Sequence, residues 1–192
     1  MLTWYCPRNE AQGVLMGNGY TNKFSHAVDV ARKGLRHQVY FFKAVEDWQK
    51  RLRTSSLPPW INRLLVNSTQ ILCTNSLYAK DGRIGFLESP QEPSLRGANL
   101  RLYSTLSIVL FFPRFEENEL AQIARAMPAS PPGRLCKKLG AAGSFEPVFD
   151  ETDGGQMERC AHFVLSLYRN YLFTGSLPRL QELMPAARAA IS

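Results

Sequence analysis

The run Val28-Asp29-Val30-Ala31-Arg32-Lys33-Gly34-Leu35-Arg36-His37-Gln38-Val39-Tyr40-Phe41-Phe42-Lys43-Ala44-Val45 decides the fold. In and just beyond it, Val28, Ala31, Leu35, Val39, Phe42, Val45, Trp48 and Leu52 recur at spacings of three and four. Helical geometry puts such positions on one face, which predicts a long amphipathic helix from Tyr20 to about Arg53. Gly34 weakens that helix without breaking the pattern. Ser55-Ser56-Leu57-Pro58 stops it and caps the next, with Pro59 near the first turn. Trp60, Leu64, Leu65, Ser68, Ile71, Leu72 and Asn75 then carry a second stripe to about Tyr78.

Reading outward, Lys80-Asp81-Gly82-Arg83 is a tight turn, because Asp-Gly tolerates positive φ at low cost. Ile84 to Leu87 is too short for a helix and is expected to be extended. Asn99 to Phe112 reads as a buried helix ended by Pro113, and Glu116 to Met127 as another with acidic residues in its first turn, where the helix dipole favours them. A loop follows to about Thr152. Asp153 to Thr174 is helical, with Phe163, Leu167 and Tyr171 on one face and Gly175 just past its end. Leu177 to Ile191 is a last helix, interrupted by Pro185. On the N-terminal side, Arg8 to Gly19 is a loop and Leu2 to Pro7 a single strand. The expected fold class is mainly α, with paired helices that suit a toroid or solenoid. Periodicity leaves a toroid and an irregular bundle both open.

A chain of 192 residues, 45% hydrophobic and 20% charged, has the makeup of a globular protein with one sizeable core. The longest apolar stretches, such as Leu106 to Pro113, fall well short of a membrane span. Met1 to Cys6 lacks the basic start and apolar core of a secretory signal. Cys6, Cys73, Cys136 and Cys160 are far apart and form no metal-ligand pair, so free thiols in a reducing, cytoplasmic compartment are expected. The net charge of +7 raises nucleic-acid binding. The basic residues are scattered, however, and no aromatics interleave with them, so solvated helix faces are the expected reading and no nucleic-acid partner is.

Candidate chemistry centres on Glu88, at the end of the extended run and followed by Ser89-Pro90. A carboxylate on a fixed strand end can project toward a substrate; the plain alternative is a solvated residue paired with Arg83 or Arg101. Asp150, Glu151 and Asp153 cluster before a helix, where capping and dipole roles explain them as well as acid catalysis does. His26, His37 and His162 show no metal-ligand spacing. No Gly-x-Ser-x-Gly and no phosphate-binding glycine loop is present. Trp48 and Trp60 lie on apolar stripes and are expected in the core.

Taken in order, Leu57-Pro58-Pro59-Trp60, Asp81-Gly82-Arg83-Ile84-Gly85-Phe86-Leu87-Glu88, Arg101-Leu102-Tyr103-Ser104 and Leu110-Phe111-Phe112-Pro113 resemble the catalytic region of glycoside hydrolase family 116, the non-lysosomal glucosylceramidase type. Trp4-Tyr5-Cys6-Pro7 looks like the last strand of that family's N-terminal β-sandwich, and Gly19 to Phe24 like the entry to its first barrel helix. Phe163-Val164-Leu165, Tyr168-Arg169-Asn170-Tyr171 and Thr174-Gly175 resemble a later helix. The resemblance implies that residues 1–18 close a β domain and residues 19–192 form roughly the first half of an (α/α)6 toroid. It further implies a retaining β-glucosidase or glucosylceramidase chemistry on a β-glucoside or glucosylceramide-like glycan, with Glu88 as nucleophile and no cofactor.

The chain departs from the family where the sugar is held. Asn99 stands for an aspartate, Gly97 for a threonine, and Cys136-Lys137-Lys138 for a Pro-His-Asp stretch. Asn99, Lys137 and Lys138 would therefore occupy the substrate-binding positions, and a lysine only donates where a carboxylate accepts. The family's general acid/base falls beyond Ser192, so this chain is expected to be a fragment or divergent member without turnover of its own. The alternative is an inactive helical homologue that binds a glycan or a protein. Half a toroid would also leave apolar helix faces open to self-association.

Overall fold

The computed structural model describes residues 10–11, 14–89, 94–128, 131–141, 144–150, 152 and 154–192. The strand expected over Leu2 to Pro7, with Cys6, lies outside the described residues, as do Glu151 and Asp153. The described chain is mainly helical. In order it runs β1 (Glu10–Ala11), β2 (Val14–Leu15), a 3-10 turn (Gly19–Asn22), α1 (Ala27–Arg36), α2 (Gln38–Arg53), α3 (Pro59–Ser68), α4 (Ile71–Thr74), β3 (Ser76–Tyr78), β4 (Ile84–Phe86), β5 (Leu95–Arg96), α5 (Ala98–Ser104), α6 (Leu106–Phe111), α7 (Pro113–Arg125), β6 (Lys138–Gly140), α8 (Gln156–Thr174) and α9 (Leu177–Ile191).

Helix is found over most of the stretches where periodicity placed it, in shorter pieces. The second stripe, expected to stay helical to about Tyr78, yields α3 and α4 but ends as strand β3, which pairs with β4. The expected loop from Arg8 to Gly19 holds the short β1–β2 pair. The long first helix is a 3-10 turn followed by α1 and α2, separated at His37, whose φ of −113° and ψ of 17° leave the helical region. Local polar groups set the start. The imidazole Nδ1 of His26 accepts from the Asp29 N–H at 3.3 Å, and the Ser25 hydroxyl and N–H both donate to the Asp29 carboxylate. His26 is thus a helix cap, a role more common for Ser, Asp or Asn. The helix expected from Asn99 to Phe112 likewise divides at Thr105, whose hydroxyl donates to the Arg101 carbonyl at 2.6 Å.

The core forms around α8. Phe163 and Leu167 on its buried face meet Leu120 and Ile123 of α7, Leu183 and Ala187 of α9, and Leu135 and Leu139 of the preceding segment. Full burial of a side chain such as Phe163 contributes about 1.5–3 kcal/mol. Left-handed glycines bound the helix at both ends, Gly155 at φ 76° and Gly175 at φ 64°. Gly175 and Ser176 alone separate α8 from α9, which pack together as a hairpin. A smaller cluster joins Ile84, Phe86 and Ile108 with Leu72 and Phe115 on its rim.

The strands make a narrow ribbon beside this core. β3 pairs antiparallel with β4, Leu87 bridges Leu95, β5 pairs antiparallel with β6, and Lys138 bridges Val148. The segment before Thr152, expected to be loop throughout, therefore supplies β6 and the far edge of the ribbon.

Two expectations about tryptophan and the first stripe need correction. Trp60 is 62% exposed and stands outside the core. Val39 and Phe42 on α2 are 75% and 71% exposed, so the apolar face exists but is not covered by any described neighbour. Among the described residues, Trp48 of that stripe meets Phe111 edge-on, with ring centroids 5.2 Å apart. Periodicity reports a face; it does not report whether anything lies against it.

Candidate functional site

Glu88 follows β4 and is half-buried. Its backbone is fixed from both sides: Leu87 N–H donates to the Asn75 carbonyl at 2.8 Å, and Glu88 N–H donates to the Ser94 carbonyl at 2.9 Å. Among the described residues its carboxylate has neither a hydrogen-bond nor an ion-pair partner. The plain reading, a pair with Arg83 or Arg101, is not realised. Arg83 Nε holds Asp81 at 2.8 Å, and Arg101 is bound to Glu119.

The other candidate residues lie on neighbouring elements, Asn99 in α5 and Lys137 and Lys138 at the entry to β6. Lys138 Nζ donates to the Ser94 hydroxyl at 3.1 Å, so Lys138 and Glu88 both rest on Ser94. Gly97 follows β5, and a Cβ built there would lie 1.9 Å from the Lys137 carbonyl oxygen. That approach leaves no room for a side chain at position 97. It also brings Lys137 beside position 99, since the Asn99 Oδ1 is 3.4 Å from the same point. Glu88 and Lys138 thus meet Ser94, while the backbone of Lys137 and the side chain of Asn99 meet at Gly97; no described contact joins Glu88 to Asn99 or Lys137.

Lys137 is not free to serve a substrate. Its Nζ lies 3.0 Å from Asp150 Oδ1, and Arg159 Nη1 lies 2.9 Å from Asp150 Oδ2. The hydrogen bond from Lys137, with that from Arg159, holds the Asp150 carboxyl below the ordinary carboxylate range against the opposing effect of burial. Asp150 is therefore ionised near neutrality and is not suited to donate a proton as a general acid. Of the acidic cluster weighed as a substitute acid, this described member is committed to two cations.

Beside these residues lies a buried ionic cluster that sequence reading missed. Arg101 is fully buried and bonds the Glu119 carboxylate and, at 3.3 Å, the Glu116 carbonyl. Arg169 of α8 bonds the Glu116 carboxylate and the Leu102 carbonyl, the latter at 2.5 Å; Asn170 Nδ2 reaches Glu116 Oε2 at 3.1 Å. Arg96 of β5 lies 4.3 Å from the Phe86 ring centroid, donates to the Ser104 hydroxyl at 2.8 Å and approaches Glu119 at 3.5 Å. Burial, the dominant influence, lowers the Arg96 pKa against the attraction of Glu119. The three guanidiniums outnumber the two carboxylates, so the cluster under β5 carries a net positive charge. The signal was in the sequence: Glu116 and Glu119 share the helical face of Leu120 and Ile123, which buries them. Every carboxylate here already has cationic partners, which suits a structural brace rather than a catalytic group.

The remaining candidates are ordinary. Cys73, Cys136 and Cys160 are free thiols; burial pushes Cys136 up to about 11 and raises Cys160. No group of His, Cys, Asp and Glu suited to a metal exists among the described residues. None of the described helices is long and apolar enough to cross a membrane. A cavity of about 680 Å³ between Pro131–Gly133, the start of α8 and the end of α9 does not include Glu88 or Asn99. No protein family matches the chain, and comparison with curated proteins finds no match.

Proposed function

We propose that this chain is a divergent relative of the retaining β-glucosidases and glucosylceramidases, in which Glu88 keeps the nucleophile's place. The helices would form part of an (α/α)6 toroid, with the β4 to β6 ribbon at its floor. The observation that carries the reading is Glu88 itself, a carboxylate with a pinned backbone and no described partner, beside Ser94, on which Lys138 of β6 also rests. Retaining hydrolysis needs a second carboxyl about 5–5.5 Å away and protonated before attack. Asp150, paired with Lys137, is held ionised and does not supply it. On this reading the chain attacks an activated glucoside, and Asp150 gives it no acid for an ordinary one.

The test compares wild type with Glu88→Gln on two aryl β-glucosides. With a poor leaving group neither protein releases product, because departure needs an acid. A dinitrophenol leaving group needs no protonation, so wild type releases dinitrophenol and Glu88→Gln does not. Equal release by both proteins rejects Glu88 as nucleophile. A second reading, an inactive glycan-binding module, is favoured by the Asp150 ion pairs alone. Glucoside binding without release from the activated substrate selects it.

A further inference from the structure

We infer that the cleft between the Asp81–Arg83 turn, α7 and the start of α9 binds a phosphomonoester with a compact apolar substituent. The cleft has a volume of about 270 Å³ and brings Arg83, Arg125 and Arg179 together from three separate elements. One lining carboxylate, Asp81, stands against them and is already used: Oδ1 accepts the Arg83 N–H at 3.0 Å and Oδ2 accepts Arg83 Nε at 2.8 Å. Arg179 leans on Glu182 of its own helix at 2.6 Å, an exposed pair that exchanges readily with solvent ions. Arg125, in the last turn of α7, has no hydrogen-bond or ion-pair partner among the described residues.

With Asp81 on Arg83 and Glu182 on Arg179, the cleft keeps a surplus positive charge through Arg125, and a positively charged concavity raises the local concentration of anions. Guanidinium forks match the oxygens of a phosphate two at a time, and a doubly charged tetrahedral head offers enough acceptors for all three. One wall is rigid, because Gln122 Nε2 donates to the Ile84 carbonyl at 2.9 Å and the Asn118 carbonyl at 3.1 Å. A second concavity of about 170 Å³ shares Arg83, Gln122 and Arg125 and adds Leu139, Phe145 and Pro147. Arg83 joins the two, its guanidinium carbon 4.7 Å from the Phe145 ring centroid. The head therefore sits among the arginines while the ester substituent covers the apolar shelf. Glu88 lines neither concavity, so this site stands or falls apart from the glucosidase reading.

Isothermal titration of the full chain at low ionic strength tests it with phenyl phosphate, inorganic phosphate and benzoate as probes. Phenyl phosphate binds tightest, inorganic phosphate several-fold more weakly and benzoate weaker again. Arg125→Gln removes no described contact within the fold and weakens phenyl phosphate about tenfold, the loss of one charge-assisted bond. Lys43→Gln, an equal charge change on distant α2, leaves the affinity unchanged. Absence of heat with phenyl phosphate at millimolar concentration, a preference for benzoate, or equal weakening by Lys43→Gln overturns the assignment.

Discussion

Asp150 ties three parts of the chain together: Lys137 beside β6, Arg159 on α8, and its own loop. Its depressed pKa fixes a sign. Ionisation contributes stability that is complete above the unfolded carboxylate value of about 4 and is lost as pH falls through the lower folded value. Asp150→Asn should therefore flatten the acid limb of a stability-against-pH curve measured by denaturant melts from pH 5 downward. An unchanged acid limb would show that these ion pairs are absent in solution. The thiols give a second expectation at this scale. Native alkylation near pH 8 marks exposed Cys73, whereas Cys136 and Cys160 react only after unfolding, as peptide mapping will record. Rapid native labelling of Cys136 contradicts the packing of the segment before β6. Glu88 itself was singled out by the resemblance to the glycosidases, whereas the extended run before it was legible from turn residues and length alone. The closeness of Lys137 to Asn99 was not, because it rests on a missing side chain at Gly97 and a pairing between residues some forty positions apart.

Among the elements, α5, α7 and α8 are locked by charge as well as by apolar packing. Arg101→Met leaves Glu119 buried with only the longer Arg96 contact, and should cost about 3–5 kcal/mol in urea unfolding. The triple variant Arg96→Met/Arg101→Met/Glu119→Leu should recover most of that loss, since replacing a whole buried ionic group by apolar side chains is near neutral. Removing Glu119 with Arg101 alone would leave Arg96 buried without its carboxylate partner. A single variant within 1 kcal/mol of wild type would deny the cluster its bracing role. Helix type and approximate extent could be read here because α7 and α8 keep strong apolar periodicity. The breaks at His37 and Thr105 were hidden, since neither residue is a helix breaker. Thr105 leaves the helix while its hydroxyl serves Arg101 and Glu116, a tertiary demand that no local pattern carries.

At the scale of the molecule, the described chain has a well-filled core around α8 and an uncovered apolar face on α1 and α2. Exposed Val39 and Phe42 predict association at rising concentration. Sedimentation velocity on Val39→Lys/Phe42→Lys should return a monomer where wild type self-associates; a wild type monomeric at every concentration removes the expectation. The larger reading, a glucosidase relative whose acid is missing, concerns one oxygen pair and its reach toward an anomeric carbon. Intact-mass analysis after exposure to a fluorinated aryl β-glucoside with a dinitrophenol leaving group addresses that reach directly, because trapping needs a nucleophile but no acid. The account predicts one fluoroglucosyl adduct, mapped to Glu88 and absent from Glu88→Gln. An unmodified wild-type mass after prolonged exposure, or an adduct retained by Glu88→Gln, contradicts it.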